Sequence, residues 1–174
     1  MPATYTLINS NVLTSSAASI TFSSIPATYT DLVVRMSIRN STAGAYGATG
    51  RFKLNGDTAT NYSVTTLEGN GSSASSNRIS SQAYGQLTYN GYDTAGNTAS
   101  TFSSIELYIP SYLASQNKPI STFTATENNS TTGILEVDAN LWRNTAAITS
   151  IEIYSDTGNF VSGSSFYLYG ISNA

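Results

Sequence analysis

The stretch Phe166-Tyr-Leu-Tyr-Gly-Ile171 decides the fold class of this chain. Apolar and aromatic residues alternate strictly along it, and alternation with a period of two is the pattern of a half-buried β-strand. We expect Phe166 and Leu168 to face a core, and Tyr167 and Tyr169 to face outward. The segment therefore predicts a sheet with aromatic side chains on its outer surface.

The same alternation recurs along the rest of the sequence, between clusters of Gly, Asn, Ser and Asp that indicate turns. The clearest case is Ile134–Trp142, where we expect Leu135 and Val137 to face inward, and Glu136 and Asp138 to face outward. No window of about eleven residues has the helical period of 3.6. Eight to ten short strands are predicted, which indicates an all-β fold, an antiparallel, jelly-roll-like β-sandwich.

Length and composition limit the other classes of protein. A chain of 174 residues is expected to form one β-sandwich domain over residues 1–174. Charged residues make up 10% of the chain, against about 25% in an average domain, while the apolar content is too high for disorder. The seven Lys and Arg residues are scattered, so no nucleic-acid partner is expected. No apolar run approaches about 18 residues, so no membrane span is expected.

The residues that are missing exclude much of enzyme chemistry. The chain has no cysteine and no histidine, which removes the thiolate nucleophile and the commonest general base. Glu106, Glu136 and Glu152 are the best-placed carboxylates, and two of them on neighbouring strands could flank a cleft as in glycosidases. We favour the interpretation that they solvate outer sheet faces and pair with arginines across strands. The chain is therefore predicted not to be an enzyme.

Metal binding was considered for four aspartates with hard oxygen donors, which suit calcium: Asp57, Asp93, Asp138 and Asp156. None of them lies in a run with the ligand spacing of a calcium loop. Aspartate is also common in turns because it bonds to the local backbone. No metal site and no cofactor are predicted, with a loop calcium as the alternative.

Tyrosine is abundant, and six tyrosines are candidates for contact with another molecule. Tyrosine is enriched in protein–protein interfaces, and its ring is both apolar and polar at the tip. Such rings also stack on sugars, so we expect either protein contact or glycan contact. The alternative is that they form the half-exposed rim of a sandwich. The candidates are Tyr46, Tyr92, Tyr108, Tyr154, Tyr167 and Tyr169.

The predicted edge strands are weakly protected against association. Natural sandwiches guard their edges with lysine or proline, and the only lysines here are Lys53 and Lys118. We expect a partner subunit to cover these edges. The chain is predicted to be a homo-oligomer, a dimer or trimer, or part of a larger assembly.

Several blocks of sequence carry a family resemblance. They are Ile20–Arg35, Leu54–Asp57 with Asn61–Ser63, Asn117–Ile120, Leu141–Ser150, Gly158–Phe160 and Gly163–Gly170. Together they resemble a family of small virion structural proteins from aquatic, cyanophage-like tailed bacteriophages, over most of the chain. The resemblance implies a jelly-roll-like sandwich displayed on the phage surface, and it carries no catalytic residues.

The resemblance leads to two expected functions. The first is a capsid decoration (cement) protein, which would bind the major capsid protein or another virion protein on the outside of the head. The second is a tail-fibre or head-fibre module that recognises host-surface glycan through loop tyrosines. Either role implies localisation to the virion after assembly in the host cytoplasm, which fits the absence of a basic, apolar signal sequence in Met1–Thr6.

Overall fold

A computed structural model describes residues 4–44, 48–127 and 133–172. These residues form thirteen strands, and none of them belongs to a helix that is long and apolar enough to cross a membrane. The strands are β1 (Tyr5–Val12), β2 (Ser19–Phe22), β3 (Asp31–Asn40), β4 (Gly50–Leu54), β5 (Tyr62–Gly69), β6 (Ala74–Gln82), β7 (Gly85–Thr88), β8 (Asp93–Thr94), β9 (Ser103–Ile109), β10 (Lys118–Thr126), β11 (Ile134–Trp142), β12 (Ile151–Ser155) and β13 (Ser165–Ile171).

The strands form two sheets of unequal size. The large sheet has the order β1-β13-β3-β9-β10-β11-β5-β6, and the short β8 adds to β3 in parallel. The small sheet has the order β2-β12-β4-β7, and the remaining pairs in both sheets are antiparallel. The predicted all-β antiparallel sandwich is confirmed. Thirteen strands exceed the predicted eight to ten, because β6 and β8 lie in polar stretches whose sequence indicates loops.

The core lies between the two sheets. The large sheet contributes residues such as Val34, Leu107 and Leu168, and the small sheet contributes Phe52 and Ile153, all of them at most 1% exposed. The prediction for the two faces of β13 is confirmed, since its alternate residues are buried and half-buried in the expected order. Apolar burial of this kind contributes the main favourable term in folding.

The prediction for the two faces of β11 is wrong. Glu136 and Asp138 are 1% exposed, whereas Leu135 and Val137 are 52% and 43% exposed. The residues of β11 alternate between two faces as the sequence predicts, but the face expected to be buried is exposed. Because the period of a strand is two, an offset of one residue moves every side chain to the other face. The cause is the element that covers β11, since β7 brings Gln86 and other polar groups against the inner face of this strand.

Two neighbours of β11 are turned in the same way. On β10, Thr122 and Thr124 are buried while Phe123 is exposed, and on β5, Thr66 is buried while Leu67 is exposed. The three strands are adjacent in the order β10-β11-β5, and we call them the inverted strands. At the middle positions of these strands the polar side chains named above are inside the sandwich and the apolar ones are outside it, whereas the strand ends keep Tyr62, Ile120 and Trp142 in the core.

Candidate docking surface

The outer face of the inverted strands carries a contiguous apolar patch. We define this docking patch as Leu67, Phe123, Leu135 and Val137, which are 43% to 57% exposed. Phe123 lies directly opposite Val137, and Val137 lies directly opposite Leu67, so three of the side chains form a row at about 5 Å spacing. Leu135 precedes Val137 by two residues and therefore shares its face.

A shallow groove runs along one side of the docking patch. It has a volume of about 190 Å³, and its lining includes Gly69 and Ala74 beside Leu67, Leu135 and Val137. Small residues at the edge of an apolar groove leave room for a side chain of another molecule. Exposed apolar patches with polar surroundings mark interaction sites more often than single exposed apolar residues do.

The outer face of the large sheet carries few charges. Its central ion pair joins Arg35 Nε to Glu106 Oε2 at 3.0 Å, and both side chains are exposed. This pairing across strands is the one that the sequence predicts for Glu106. Asp31 also lies at the margin of this face, where it accepts a hydrogen bond from the hydroxyl of Tyr108 at 2.9 Å. A partner that covers this face would meet little charge beyond this ion pair, Asp31 and, on the edge strand β6, Arg78.

Directly beneath the docking patch, Asp138 is held by three neutral side chains. Thr122 Oγ1 donates to Asp138 Oδ2 at 2.9 Å, and Gln86 Nε2 donates to Oδ1 at 3.0 Å. The hydroxyl of Thr66 also donates to Oδ1. Burial of a charge is costly unless it is paired and hydrogen-bonded, so these donors make the inward orientation of β11 tenable.

Glu136 completes this buried network. Thr88 Oγ1 donates to Glu136 Oε2 at 3.0 Å, and the backbone N–H of Tyr89 donates to Oε1 at 2.6 Å. Burial, followed by the charge of Asp138, raises the pKa of Glu136 to about 8. Burial also raises the pKa of Asp138. Because like charges this close disfavour a doubly ionised pair, the two carboxyl groups retain a proton near neutral pH.

The carboxyl pair is enclosed by protein. A recess of about 150 Å³ lies beside it, lined by groups such as Thr66, Gln86 and Tyr89, but neither Glu136 nor Asp138 is among its lining residues. A carboxyl group must reach its substrate within hydrogen-bond distance to act as an acid or base. The geometry instead indicates that the pair fastens β7 to the inverted strands.

Three of the six candidate tyrosines lie together. Tyr108, Tyr167 and Tyr169 are half-buried on the outer face of the large sheet. Tyr169 also packs edge-on against Tyr5, with 6.5 Å between the ring centroids. The strands β3 and β9, which carry the Arg35–Glu106 pair, lie between β13 with its two tyrosines and the docking patch. Tyr46 lies outside the described residues.

Tyr154 is separated from these three, because it lies on the outer face of the small sheet. Lys53 Nζ is 4.6 Å from the centre of its ring, and Lys53 also pairs with Glu152 at 3.7 Å. Nearby, the guanidinium of Arg51 lies 4.1 Å from the ring centre of Tyr84. Cations over aromatic rings are attracted by the ring quadrupole. The charged side chains on the outer face of the small sheet thus contact one another or aromatic rings of the same chain.

The interpretation of Tyr92 as a surface contact residue is wrong. Its side chain is fully buried, and its ring meets Phe160 edge-on with 6.1 Å between the centroids. The sequence around it indicates a polar loop, but β8 pairs with β3 and draws the segment into the sandwich. A fully buried ring cannot contact a partner.

The four aspartates considered as calcium ligands are separate structural groups. Asp57, for example, accepts hydrogen bonds from Trp142 Nε1 at 2.7 Å and from Asn61 Nδ2 at 2.9 Å. Burial raises the pKa of Asp57, but these and other hydrogen bonds to the carboxylate outweigh burial, so the pKa lies below its usual value. Across residues 4–44, 48–127 and 133–172, no three His, Cys, Asp or Glu side chains lie close enough to share a metal ion.

The residues of the docking patch were not among the sequence candidates. The alternation in β11 was visible, but alternation defines two faces without showing which one is covered. The available signal was the run of threonines at alternate positions of β10, Thr122, Thr124 and Thr126. The segment of β7 has polar residues at alternate positions too, Gln86 and Thr88. Polar residues at alternate positions of two facing strands indicate a polar interior between them.

The fold and this surface define an all-β sandwich protein with an exposed apolar docking face. No protein-family model matches the chain, and no curated protein matches it. Among solved structures, a scytalido-glutamic peptidase with a transition-state analog inhibitor has 11% identity and a TM-score of 0.27, covering 93% of this chain and 66% of that chain. A second structure of this peptidase, with a peptide-based transition-state analog, has 12% identity, a TM-score of 0.24 and the same coverage.

A further solved structure concerns botulinum neurotoxin type C, whose cell entry depends on two ganglioside molecules. It has 11% identity and a TM-score of 0.21, and it covers 95% of this chain and 44% of that chain. The chain thus spans less than two thirds of the length of each of these proteins. Likenesses this distant assign neither a family nor an activity.

Proposed function

We propose that this chain is a bacteriophage virion structural protein, a capsid decoration protein that binds the outside of the head. The observation that carries the proposal is the docking patch, where four apolar side chains face outward on strands whose polar side is buried. Such an arrangement is stabilised when a partner covers the apolar side, because apolar burial is the dominant favourable term in association. The resemblance of Ile20–Arg35 and later blocks to phage virion proteins is the reason for placing the protein on a phage particle.

The partner in this proposal is the major capsid protein or another virion protein that presents an apolar surface. A sheet face can pack on another sheet at about 10 Å, with the side chains of both interdigitating. The charged outer face of the small sheet, with Lys53 and Glu152, then remains in solvent. Bound across neighbouring shell subunits, the domain would stabilise the head without catalysis or a cofactor.

Binding to phage heads that lack the protein tests this role. In co-sedimentation, we expect Val137→Asp and Leu67→Asp to weaken binding at least tenfold, because a carboxylate would lose its hydration in the contact. The matched control is Thr21→Asp, which places the same charge at an exposed position of the small sheet. Equal binding by the Val137 and Thr21 variants would contradict docking through the patch.

A fibre-tip module that binds host-surface glycan is the second candidate. The observation that favours it is the group of tyrosines on the outer face, Tyr108, Tyr167 and Tyr169, which offers rings for stacking on sugars. Copy number separates the two roles. A decoration protein is expected in hundreds of copies on each particle, whereas a fibre tip is expected in few copies and should bind a ligand on a glycan array.

A further inference from the structure

One edge of the large sheet is open and carries no charge. β1 pairs with β13 on one side, and no described strand pairs with its other side. Its eight residues, Tyr5-Thr-Leu-Ile-Asn-Ser-Asn-Val12, include no charged residue and no proline. Because an edge strand presents a row of unpaired N–H and C=O groups, an edge without these guards is a template for pairing with another strand.

Exposed apolar side chains are concentrated on the same strand. Tyr5, Leu7 and Val12 are 51% to 54% exposed, and their registers with β13 place all three on the outer face of the large sheet. The register shift in β1 lies between Leu7 and Asn9. The segment Asn9–Val12 beyond this bulge is exposed, and within it the backbone N–H of Ser10 donates to the Asn9 side-chain Oδ1 at 2.8 Å.

The opposite edge of the large sheet is better guarded. β6 carries Arg78 on its outer face, and Ser81 has a left-handed backbone with φ of 58° beside a register shift against β5. Charges and bulges are devices that prevent edge pairing; both edges have a register shift, so the charge of Arg78 is the guard that β1 lacks. β6 also lacks the exposed large apolar residues that β1 presents. The two edges therefore differ in what they can bind.

We propose that a second copy of this chain covers β1, through antiparallel pairing of the two Asn9–Val12 segments about a two-fold axis. In a two-fold contact the same strand faces its own copy, with residue i opposite residue j and j opposite i, so an edge that carries charge of one sign would repel itself. The neutrality of β1 removes that repulsion, and Arg35, two strands inward from Ser10, is already paired with Glu106. The pairing joins two large sheets into one that has a common outer face.

The inference does not depend on the phage head as a partner. The two-fold dimer would present two docking patches on one continuous outer face, which would raise the avidity for any repeating surface. Dimer formation is measured on the isolated protein, whereas the proposed function is measured on heads. A monomer that binds heads and a dimer that does not are therefore distinguishable results.

Sedimentation equilibrium on the full chain tests the proposal. The wild type, with a chain mass of 18.4 kDa, is expected to behave as a dimer. Ser10→Lys places a charge at the exposed β1 edge and is expected to weaken dimerisation at least tenfold. The matched control, Ser76→Lys, places the same charge at an exposed serine of β6 and should leave the dimer intact.

Hydrogen exchange on the wild type provides a readout that does not depend on a variant's folding. We expect the amides within Asn9–Val12 to exchange more slowly as protein concentration rises, while those of β6 stay unchanged. A wild-type monomer at high concentration, a trimer, or a dimer that survives Ser10→Lys but not Ser76→Lys would overturn the proposal.

Discussion

Tyr92 and Tyr62 are both buried tyrosines, but their hydroxyl groups have different surroundings. The hydroxyl of Tyr62 accepts a hydrogen bond from the backbone N–H of Leu54 at 3.1 Å. The hydroxyl of Tyr92 is buried and has no hydrogen-bond partner among residues 4–44, 48–127 and 133–172. Burial raises the pKa of both phenols, so both hydroxyl groups stay protonated near neutral pH. The two tyrosines therefore differ in the hydrogen bonding of their hydroxyl groups.

This difference predicts opposite effects of removing the two hydroxyl groups. Tyr92→Phe should leave the free energy of unfolding unchanged or raise it by about 1 kcal/mol, because it removes an unsatisfied buried group. Tyr62→Phe is the matched control and should lower it by roughly 1 to 2 kcal/mol, because the Leu54 N–H loses its acceptor. Urea unfolding of both variants measures this, and a larger loss for Tyr92→Phe would contradict the assigned contacts.

At the scale of the element, the inverted strands show how far the sequence determines the structure. Alternation predicted β11 and β13 as strands. It assigned the faces of β13 correctly, because one face of that strand carries Phe166 and Leu168 and the other carries two tyrosines with polar tips. It assigned β11 wrongly, because the covered side of that strand is decided by β7, which is distant in sequence. The docking patch could not be predicted for the same reason. β6 was missed since its residues are almost all polar.

The buried carboxyl pair of β11 makes the stability of the fold depend on pH. The pKa of Glu136 is raised from 4.5 in the unfolded chain to about 8 in the fold, so the folded state binds more protons than the unfolded state between these values. Its contribution to stability is complete below about pH 4.5 and is lost as the pH rises through about 8.

We therefore expect the urea midpoint to fall between pH 5 and pH 9, by an amount equivalent to roughly 2–4 kcal/mol. Glu136→Gln replaces the protonated carboxyl with a neutral amide and should remove most of this dependence. Subtracting the variant's profile from that of the wild type removes the contributions of other titrating groups. A wild-type midpoint that is flat or rises over this interval would show that the carboxyl pair is not buried as described.

At the scale of the whole molecule, the sandwich has two unlike outer faces. The small sheet presents charged side chains that pair with each other and with aromatic rings. The large sheet presents an apolar patch, a group of tyrosines and one neutral edge. This difference between the faces is the reason that both proposals place the contacts with other proteins on the large sheet.

The orientation of β11 underlies this whole account, and one substitution tests it most directly. Val137→Asp places a carboxylate in the middle of the docking patch if Val137 faces outward, and in the sandwich core if it faces inward. Urea unfolding of the variant against the wild type is the measurement. We expect the variant to unfold cooperatively, with a free energy of unfolding lower by about 1 kcal/mol, as for an exposed strand position. Loss of cooperative unfolding, or a decrease of about 4 kcal/mol or more, would place Val137 inside the core and contradict the account.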